Sequence, residues 1–163
     1  MRYIPMATIN SKVQNIYGEW ITVALPADGH WSTHVVFSEI ANPSSGESII
    51  LELPVVARLH RDCWEVWREW WGKPVTITCG FRTKSYNALI GGVEDSQHIK
   101  CCAYDCSVGA ISDSLFKECM DVCFAIAKAN HTQCELGRYS WGLHIGFSKL
   151  AYTDKTLYTF DKR

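Results

Sequence analysis

The stretch Cys79–Asp105 reads CGFRTKSYNALIGGVEDSQHIKCCAYD, and the rest of the chain supplies the framework around it. It contains an arginine just after an apolar β-type run, a pair of glycines, and His98 with Asp105 seven residues later. A second histidine, His144, lies in a later β-type run, and Glu135 lies in the run before it. Two imidazoles and a carboxylate can hold a zinc ion with one position open to water, and a further carboxylate can accept a proton from that water. Spacing alone is weak evidence for this site, because isolated histidine–aspartate pairs are more often structural.

Length and composition indicate one globular domain spanning residues 1–163. The chain has 163 residues, of which 47% are hydrophobic and 20% are charged, and its formal net charge is -1. This is an ordinary globular composition, and the length is sufficient for a hydrophobic core. A nearly neutral chain without a basic run argues against nucleic acid as a partner. We expect a monomer.

The N-terminal residues, MRYIPMATINSKVQ, contain no continuous apolar stretch followed by a small-residue cleavage site. No run of about 18 apolar residues occurs that could cross a membrane. We therefore expect cytoplasmic synthesis without a signal peptide and no membrane segment. If the substrate lies outside the membrane, another agent must deliver the protein.

The eight cysteines contain no Cys-x-x-Cys pairs. Because the sequence also lacks an export signal, we expect most of them to be reduced side chains of the core. An alternative is a cysteine-based enzyme or a thiol–metal site that uses Cys101, Cys102 and Cys106.

Periodicity and turn residues predict an α+β fold with a mainly antiparallel sheet and flanking helices. Val56, Leu59, Cys63, Val66, Trp67 and Trp70 recur at helical spacing and are predicted to face inward. The hairpin predicted at the end of the chain should bring Glu135 next to His144. The predicted elements are strands at 19–25, 34–37, 74–79, 103–108, 132–136, 142–147 and 156–160, helices at 54–71, 83–90 and 113–129, and loops at 42–47 and 93–98.

Several separated motifs carry a resemblance to a known family. Ser96–Asp105 (SQHIKCCAYD) resembles the Ser-x-His-x-x-Gly-x-Ala-x-Asp signature of zinc D-alanyl-D-alanine carboxypeptidases and L-alanyl-D-glutamate endopeptidases, which share the hedgehog signalling-domain fold. Upstream, Val75–Asn87 is similar to the family's strand followed by SGYRS..YN, and downstream 134–137 and 141–148 resemble its last two site strands. The likeness covers about residues 35–148, and the order of the motifs is more specific than any one of them.

The resemblance implies a single zinc ion with His98, Asp105 and His144 as its ligands. It also implies that Glu135 is the general base and that Arg82 stabilises the negative charge that develops on the carbonyl oxygen. Ser96 and Gln97 border the same loop and are candidates for contacts to the substrate or to the metal ligands.

Three positions depart from the family's pattern. Cys101 replaces the glycine of the signature, which removes a permissive backbone position and adds a possible soft ligand. Cys79 replaces a frequent serine, an exchange that we expect to be neutral. Trp141 occupies the position three residues before His144 where many members carry the catalytic acid, so the role of Glu135 depends on the hairpin.

The resemblance implies a zinc metallopeptidase that hydrolyses peptidoglycan stem peptides, as a carboxypeptidase or as an endopeptidase. The small size and the absence of a signal peptide favour a phage or prophage lysis enzyme, or a virion component, that acts at the bacterial cell wall. The alternative is a non-catalytic virion or wall-binding protein of the same fold. We interpret Trp64, Trp67, Trp70 and Trp71 as packing residues, and His30, His34, His60 and His131 as structural or solvated.

Overall fold

The computed structural model describes residues 7–41 and 50–163, so the predicted loop at 42–47 lies outside the described residues. The architecture is α+β, as predicted. The strands are β1 (Thr8–Gln14), β2 (Trp20–Pro26), β3 (His30–Ser32), β4 (Val35–Val36), β5 (Leu51–Leu53), β6 (Thr76–Cys79), β7 (Ala103–Ser107), β8 (Cys134–Tyr139), β9 (Gly142–Phe147) and β10 (Leu157–Lys162). The α-helices are α1 (Phe37–Ile40), α2 (Val56–Trp71), α3 (Lys84–Leu89) and α4 (Asp113–Ala129), and Gln97–Lys100 forms a 3-10 helix.

The main sheet has five strands in the order β10-β8-β9-β7-β6. All neighbouring pairs are antiparallel except β10 and β8, which run parallel. Strand β9 is buried along its whole length. Its alternate residues Leu143, Ile145 and Phe147 join the hydrophobic core, so His144 between them faces the opposite side of the sheet.

Capping residues mark the start of α4 and the end of α2. The side chain of Ser112 accepts a hydrogen bond from the Leu115 amide and caps α4. Gly72 ends α2 with a left-handed backbone (φ 68°), and its amide donates to the Arg68 carbonyl. The predictions of both helices are therefore confirmed to within two residues. The β8–β9 hairpin is also confirmed, although β8 begins two residues later and ends three residues later than predicted.

The predicted buried face of α2 is partly wrong. Cys63 and Trp67 are buried as predicted, but Val56, Leu59, Val66 and Trp70 are 38 to 54% exposed. The buried stripe instead consists of Ala57, His60, Cys63, Trp64 and Trp67. Two adjacent stripes of α2 have helical spacing, and the helix buries the one that carries the indole of Trp64 and the imidazole of His60 against the sheet.

A second, three-stranded sheet of order β2-β1-β5 forms from the N-terminal part of the chain. The β3–β4 ribbon is fastened to α2 by Glu65, which accepts hydrogen bonds from the Ser32 hydroxyl, the His34 amide and the His34 ring. His34 is thus structural, as predicted. No helix in the described ranges, 7–41 and 50–163, is long and apolar enough to cross a bilayer.

Candidate active site

One row of residues crosses the open face of the main sheet, one from each strand. The register aligns Phe160 with Gly137, Gly137 with His144, His144 with Asp105, and Asp105 with Cys79. Side chains at equivalent register positions point to the same face of a sheet. Sheet pairing therefore brings His144, Asp105 and Cys79 together, although they lie far apart in the sequence.

The carboxylate of Asp105 lies between the two imidazoles. Its Oδ1 is 3.3 Å from His98 Nε2 and 3.1 Å from His144 Nδ1. The two rings approach edge to face, with centroids 5.1 Å apart. All three side chains are at least 87% removed from solvent, so their interactions are little screened by water.

His98 is held by the 3-10 helix that precedes β7. The Ser96 hydroxyl accepts a hydrogen bond from the His98 amide and caps this short helix. The ring nitrogen Nδ1 of His98 lies 2.8 Å from the Gly80 carbonyl oxygen, which can only accept, so Nδ1 carries the proton. In the neutral imidazole, Nε2 then presents its lone pair to Asp105.

His144 is held in a similar way by two acceptors. Its Nε2 lies 2.9 Å from Glu135 Oε1 and 3.4 Å from Gln97 Oε1, so Nε2 is the protonated nitrogen. The β8–β9 hairpin pairs Glu135 with Gly146 and so brings this carboxylate back toward His144, as the sequence predicts. In the neutral imidazole, Nδ1 presents its lone pair to Asp105.

This geometry requires positive charge beside Asp105 Oδ1. A carboxylate oxygen cannot stably face two imidazole lone pairs, because all three groups are acceptors. A cation between the three atoms would supply that charge. The two nitrogens and the carboxylate oxygen belong to the ligand types that zinc uses, and the contacts to Gly80, Glu135 and Gln97 fix both rings in the tautomer that metal binding needs. The residues therefore fit a metal ion.

The pKa values reflect the same requirement in the protein without metal. Burial alone would lower the pKa of His98, but the charge of Asp105 and its hydrogen bond raise it to about 10. Burial would raise the pKa of Asp105, whereas the charge of His98 and hydrogen bonds from both rings hold it well below its usual range. Metal binding must displace these protons, since ligating imidazoles are neutral.

Cys79, which replaces a frequent serine of the family and is predicted to be a neutral exchange, is also a possible ligand. Cys79, His98 and Asp105 each offer one ligand atom, and these three atoms lie within 4.8 Å of one another, in a group that does not include His144. Burial would raise the pKa of the Cys79 thiol, but its hydrogen bond to His98 and the charges of His98 and Arg82 lower it overall. Thiolate is the form that binds metals, so Cys79 has the chemistry of a soft ligand at the edge of the site.

The alternative thiol site at Cys101, Cys102 and Cys106 is not supported. All three side chains are fully buried, and burial raises the pKa of each thiol, so they stay protonated. None of the three lines the cavity that the described residues form around the two imidazoles. All eight cysteines are free, as predicted for reduced core residues.

Arg82 lies at the wall of the site. Its Nη1 donates to Asn87 Oδ1 at 2.9 Å, while Nη2 lies 3.5 Å from Cys79 Sγ and 3.9 Å from Asp105 Oδ2. Asn87 is buried and also donates to the Val93 carbonyl, which fixes its amide as a support for the guanidinium. The guanidinium is thus held beside the cavity.

Ser96 and Gln97 occupy different positions relative to the cavity. Ser96 lines it, whereas Gln97 is 93% buried and directs its amide oxygen to His144 and its amide nitrogen to Ser148 Oγ, at 2.7 Å. A Cβ atom on Gly146 would overlap the Gln97 amide, so a glycine is needed there. Gln97 therefore contacts a predicted metal ligand, and this side-chain direction cannot be read from sequence.

A cavity of about 710 Å³ lies beside the two imidazoles. His98, Asp105, Glu135, His144 and Arg82 line one part of it. Trp141, at the position of the acid that many family members carry, is not among the lining residues and stacks on Tyr139 instead. Glu135 is the carboxylate that the structure brings beside His144, with Oε1 2.9 Å from Nε2 of that ring.

The comparison with protein families agrees with these motifs. The family described as Peptidase M15 matches residues 34–140, which include Arg82, His98, Asp105 and Glu135. Neither a curated protein nor a solved structure matches the chain. Since the match covers more than half of the sequence, the chain belongs to the peptidase M15 family.

Proposed function

We propose that this chain is a zinc-dependent peptidase that hydrolyses peptide bonds in the stem peptides of bacterial peptidoglycan. One observation carries the proposal. Asp105 Oδ1 faces two imidazole nitrogens, and the partner nitrogen of each ring is already committed as a hydrogen-bond donor. Membership of the peptidase M15 family supports peptidase activity, which we assign to this site.

His98, Asp105 and His144 are the proposed ligands of the ion. When bound, zinc supplies a Lewis acid that polarises the peptide carbonyl and acidifies water. The three side chains have a net charge of -1 when both rings are neutral, so the site stays positive with Zn²⁺. The Gly80 carbonyl, Glu135 and Gln97 orient the two rings.

Glu135 is the proposed general base. Its Oε1 accepts the hydrogen bond from His144 Nε2, which leaves Oε2 to accept a proton from the attacking water. The same carboxyl group returns this proton to the nitrogen of the leaving amine when the C–N bond breaks. One water is consumed, and a carboxylate and an amine are formed.

Arg82 is the proposed partner of the carbonyl oxygen. Its guanidinium is held by Asn87 and borders the cavity, where it can donate to the oxygen as negative charge develops. It could equally bind a terminal carboxylate of the substrate, so Arg82 is compatible with a carboxypeptidase and with an endopeptidase. We also propose that the chain is a phage-type lysis enzyme that another agent delivers to the cell wall.

The first test measures release of new amino groups from purified peptidoglycan. We expect wild type to release them and Glu135→Gln to lower kcat about 10²- to 10⁴-fold while zinc stays bound. Glu118→Gln, an exposed position on α4, is the control and should retain wild-type activity. Loss of kcat to the same degree in both variants would contradict the role of Glu135.

A second test addresses the metal. Zinc content measured after dialysis should be about one ion per chain in wild type and lost in His98→Ala. A chain that sediments with peptidoglycan but releases no amino groups would be the non-catalytic wall-binding protein, and the proposed hydrolysis would then be wrong. A chain that hydrolyses peptidoglycan equally well after zinc removal would contradict the metal role.

A further inference from the structure

The open face of the sheet continues past the site onto β8 and β10 with aromatic residues. Strand pairing places Tyr158 beside Glu135 and Phe160 beside Gly137. Tyr139 lies two positions after Gly137 on β8 and therefore on the same face of the sheet. We call Tyr139, Tyr152, Tyr158 and Phe160 the aromatic strip. All four line the same 710 Å³ cavity as His98, Asp105, Glu135 and His144.

The aromatic strip is a preformed surface and not part of the core. Tyr152 is 48% exposed and Tyr158 is 37% exposed. Their rings pack edge to face with centroids 5.3 Å apart. The Phe160 ring packs between the rings of His144 and Tyr139, with centroid distances of 5.6 Å and 5.7 Å. Tyr152 and Tyr158 therefore present exposed ring surface and hydroxyls for hydrogen bonding. Tyr139, which stacks on Trp141, and Phe160, which lies under Lys162, support them.

The chemistry of the strip suits a sugar ring. A pyranose has apolar C–H faces that pack on aromatic rings and a hydroxyl edge that matches tyrosine hydroxyls. Stem peptides consist mostly of small and charged residues, which do not require four aromatic side chains. A nucleic acid base could also stack, but the four carboxylates that line the cavity (Glu94, Asp95, Asp105 and Glu135) outnumber its cations Arg82 and Lys162 and would repel phosphates.

We propose that the aromatic strip is a saccharide subsite that stacks on a sugar of the glycan strand while the attached peptide enters the site. This inference rests on the proposed function. Neighbouring strands are about 4.8 Å apart, so β10 lies about 10 Å from His144 on β9. This distance equals about three residues of extended peptide, so the bond that is cut lies near the sugar-bearing end of the stem.

Binding is tested first with a soluble N-acetylglucosamine–N-acetylmuramic acid disaccharide that carries no peptide. Isothermal titration of the zinc-loaded chain should detect binding, and Tyr158→Ala should weaken it about tenfold or more, as expected for loss of one stacked ring. Tyr158→Phe keeps the ring and should retain most of the affinity. Tyr17→Ala, 82% exposed in the β1–β2 turn, is the matched control and should bind like wild type.

Hydrolysis provides the second measurement. The ratio of kcat/KM for a disaccharide-linked peptide over the same peptide without sugar should be about ten or more in wild type, mainly through KM. The ratio should approach one in Tyr158→Ala and stay at the wild-type value in Tyr17→Ala. If Tyr158→Ala does not fold, Tyr152→Ala tests the same ring pair.

The outcomes separate this inference from the proposed function. A wild-type chain that cuts both peptides equally and binds no disaccharide would overturn the saccharide subsite and leave the peptidase intact. A chain that binds the disaccharide through Tyr158 but hydrolyses neither peptide would support the subsite and refute the proposed hydrolysis. Equal disaccharide binding by wild type and Tyr158→Ala would overturn the inference as well.

Discussion

Gln97 fixes the orientation of His144 from within the protein. Its amide nitrogen donates to Ser148 Oγ, which leaves Oε1 directed at His144 Nε2. Because Nε2 keeps its proton there, Nδ1 is left as the lone pair that faces Asp105. Gly146 makes room for this amide, so the arrangement depends on a glycine two residues after the histidine.

We predict that Gln97→Leu weakens zinc binding about 10- to 100-fold, since such partners of metal-bound histidines commonly contribute that much. Gln97→Glu keeps an oxygen for His144 and should lose less affinity. Competition with a zinc chelator measures both constants without relying on activity. Equal zinc affinity in wild type and Gln97→Leu would contradict the role assigned to Gln97.

The sequence identifies His98, Asp105, His144 and Glu135 as one group, and the structure brings their side chains within hydrogen-bonding distance in a chain of contacts. Motifs reveal such residues because their chemistry and order are specific. They do not reveal which way a side chain points. For this reason the sequence identifies Gln97 only as a contact of either the substrate or the metal ligands, without indicating His144 as its partner, and it does not identify Cys79 as a neighbour of His98.

At the scale of elements, the turn from the 3-10 helix into β7 requires a left-handed residue. Cys101 has φ 52° and ψ 37°, a region that glycine adopts without cost and other residues do not. This explains why the family's signature has glycine at this position. Cys101 therefore combines backbone strain of about 1 kcal/mol with a fully buried side chain.

We predict that Cys101→Gly is less destabilising than Cys102→Gly by at least about 1 kcal/mol. Both changes remove a fully buried thiol, but only the first relieves a positive φ. Urea unfolding at equal m-values measures the difference. An equal or larger loss at Cys101 would mean that the left-handed turn carries no strain.

Long, strongly patterned elements are predicted best from the sequence. The amphipathic α4 and the β8–β9 hairpin agree with prediction because their spacing and turn residues are local signals. Strands β1 and β5 were not predicted. TINSKVQ has a largely polar pattern, and it becomes a strand by antiparallel pairing with β2 along its whole length. LEL has only three residues, and it becomes a strand by pairing in parallel with β1 across a long sequence separation.

At the scale of the whole molecule, His60 joins α2 to the main sheet. Its Nδ1 accepts a hydrogen bond from the Phe147 amide of β9 at 3.1 Å, and its ring packs edge-on against Tyr104 of β7. The accepting nitrogen must be unprotonated, so the folded protein requires a neutral imidazole. Burial, followed by the positive charges of His144 and His98, lowers the pKa of His60 well below its ordinary value.

This pKa shift predicts a loss of stability in mild acid. Below about pH 6.5, His60 is protonated in the unfolded chain but not in the folded protein. Because the unfolded state then binds more protons, the free energy of unfolding decreases as the pH is lowered. The slope should approach about 1.4 kcal/mol per pH unit between about pH 6 and 5. His98, whose pKa is raised to about 10 in the folded metal-free protein, is protonated there throughout this window, whereas the unfolded chain is only partly protonated near pH 6; its slope therefore has the opposite sign and becomes small toward pH 5. We expect His60→Gln, whose amide oxygen can still accept from Phe147, to lose this pH dependence, and His131→Asn, an exposed position with positive φ, to keep it. Urea unfolding of the metal-free chains at several pH values measures the slopes, and equal slopes in wild type and His60→Gln would show that His60 is not the group that titrates.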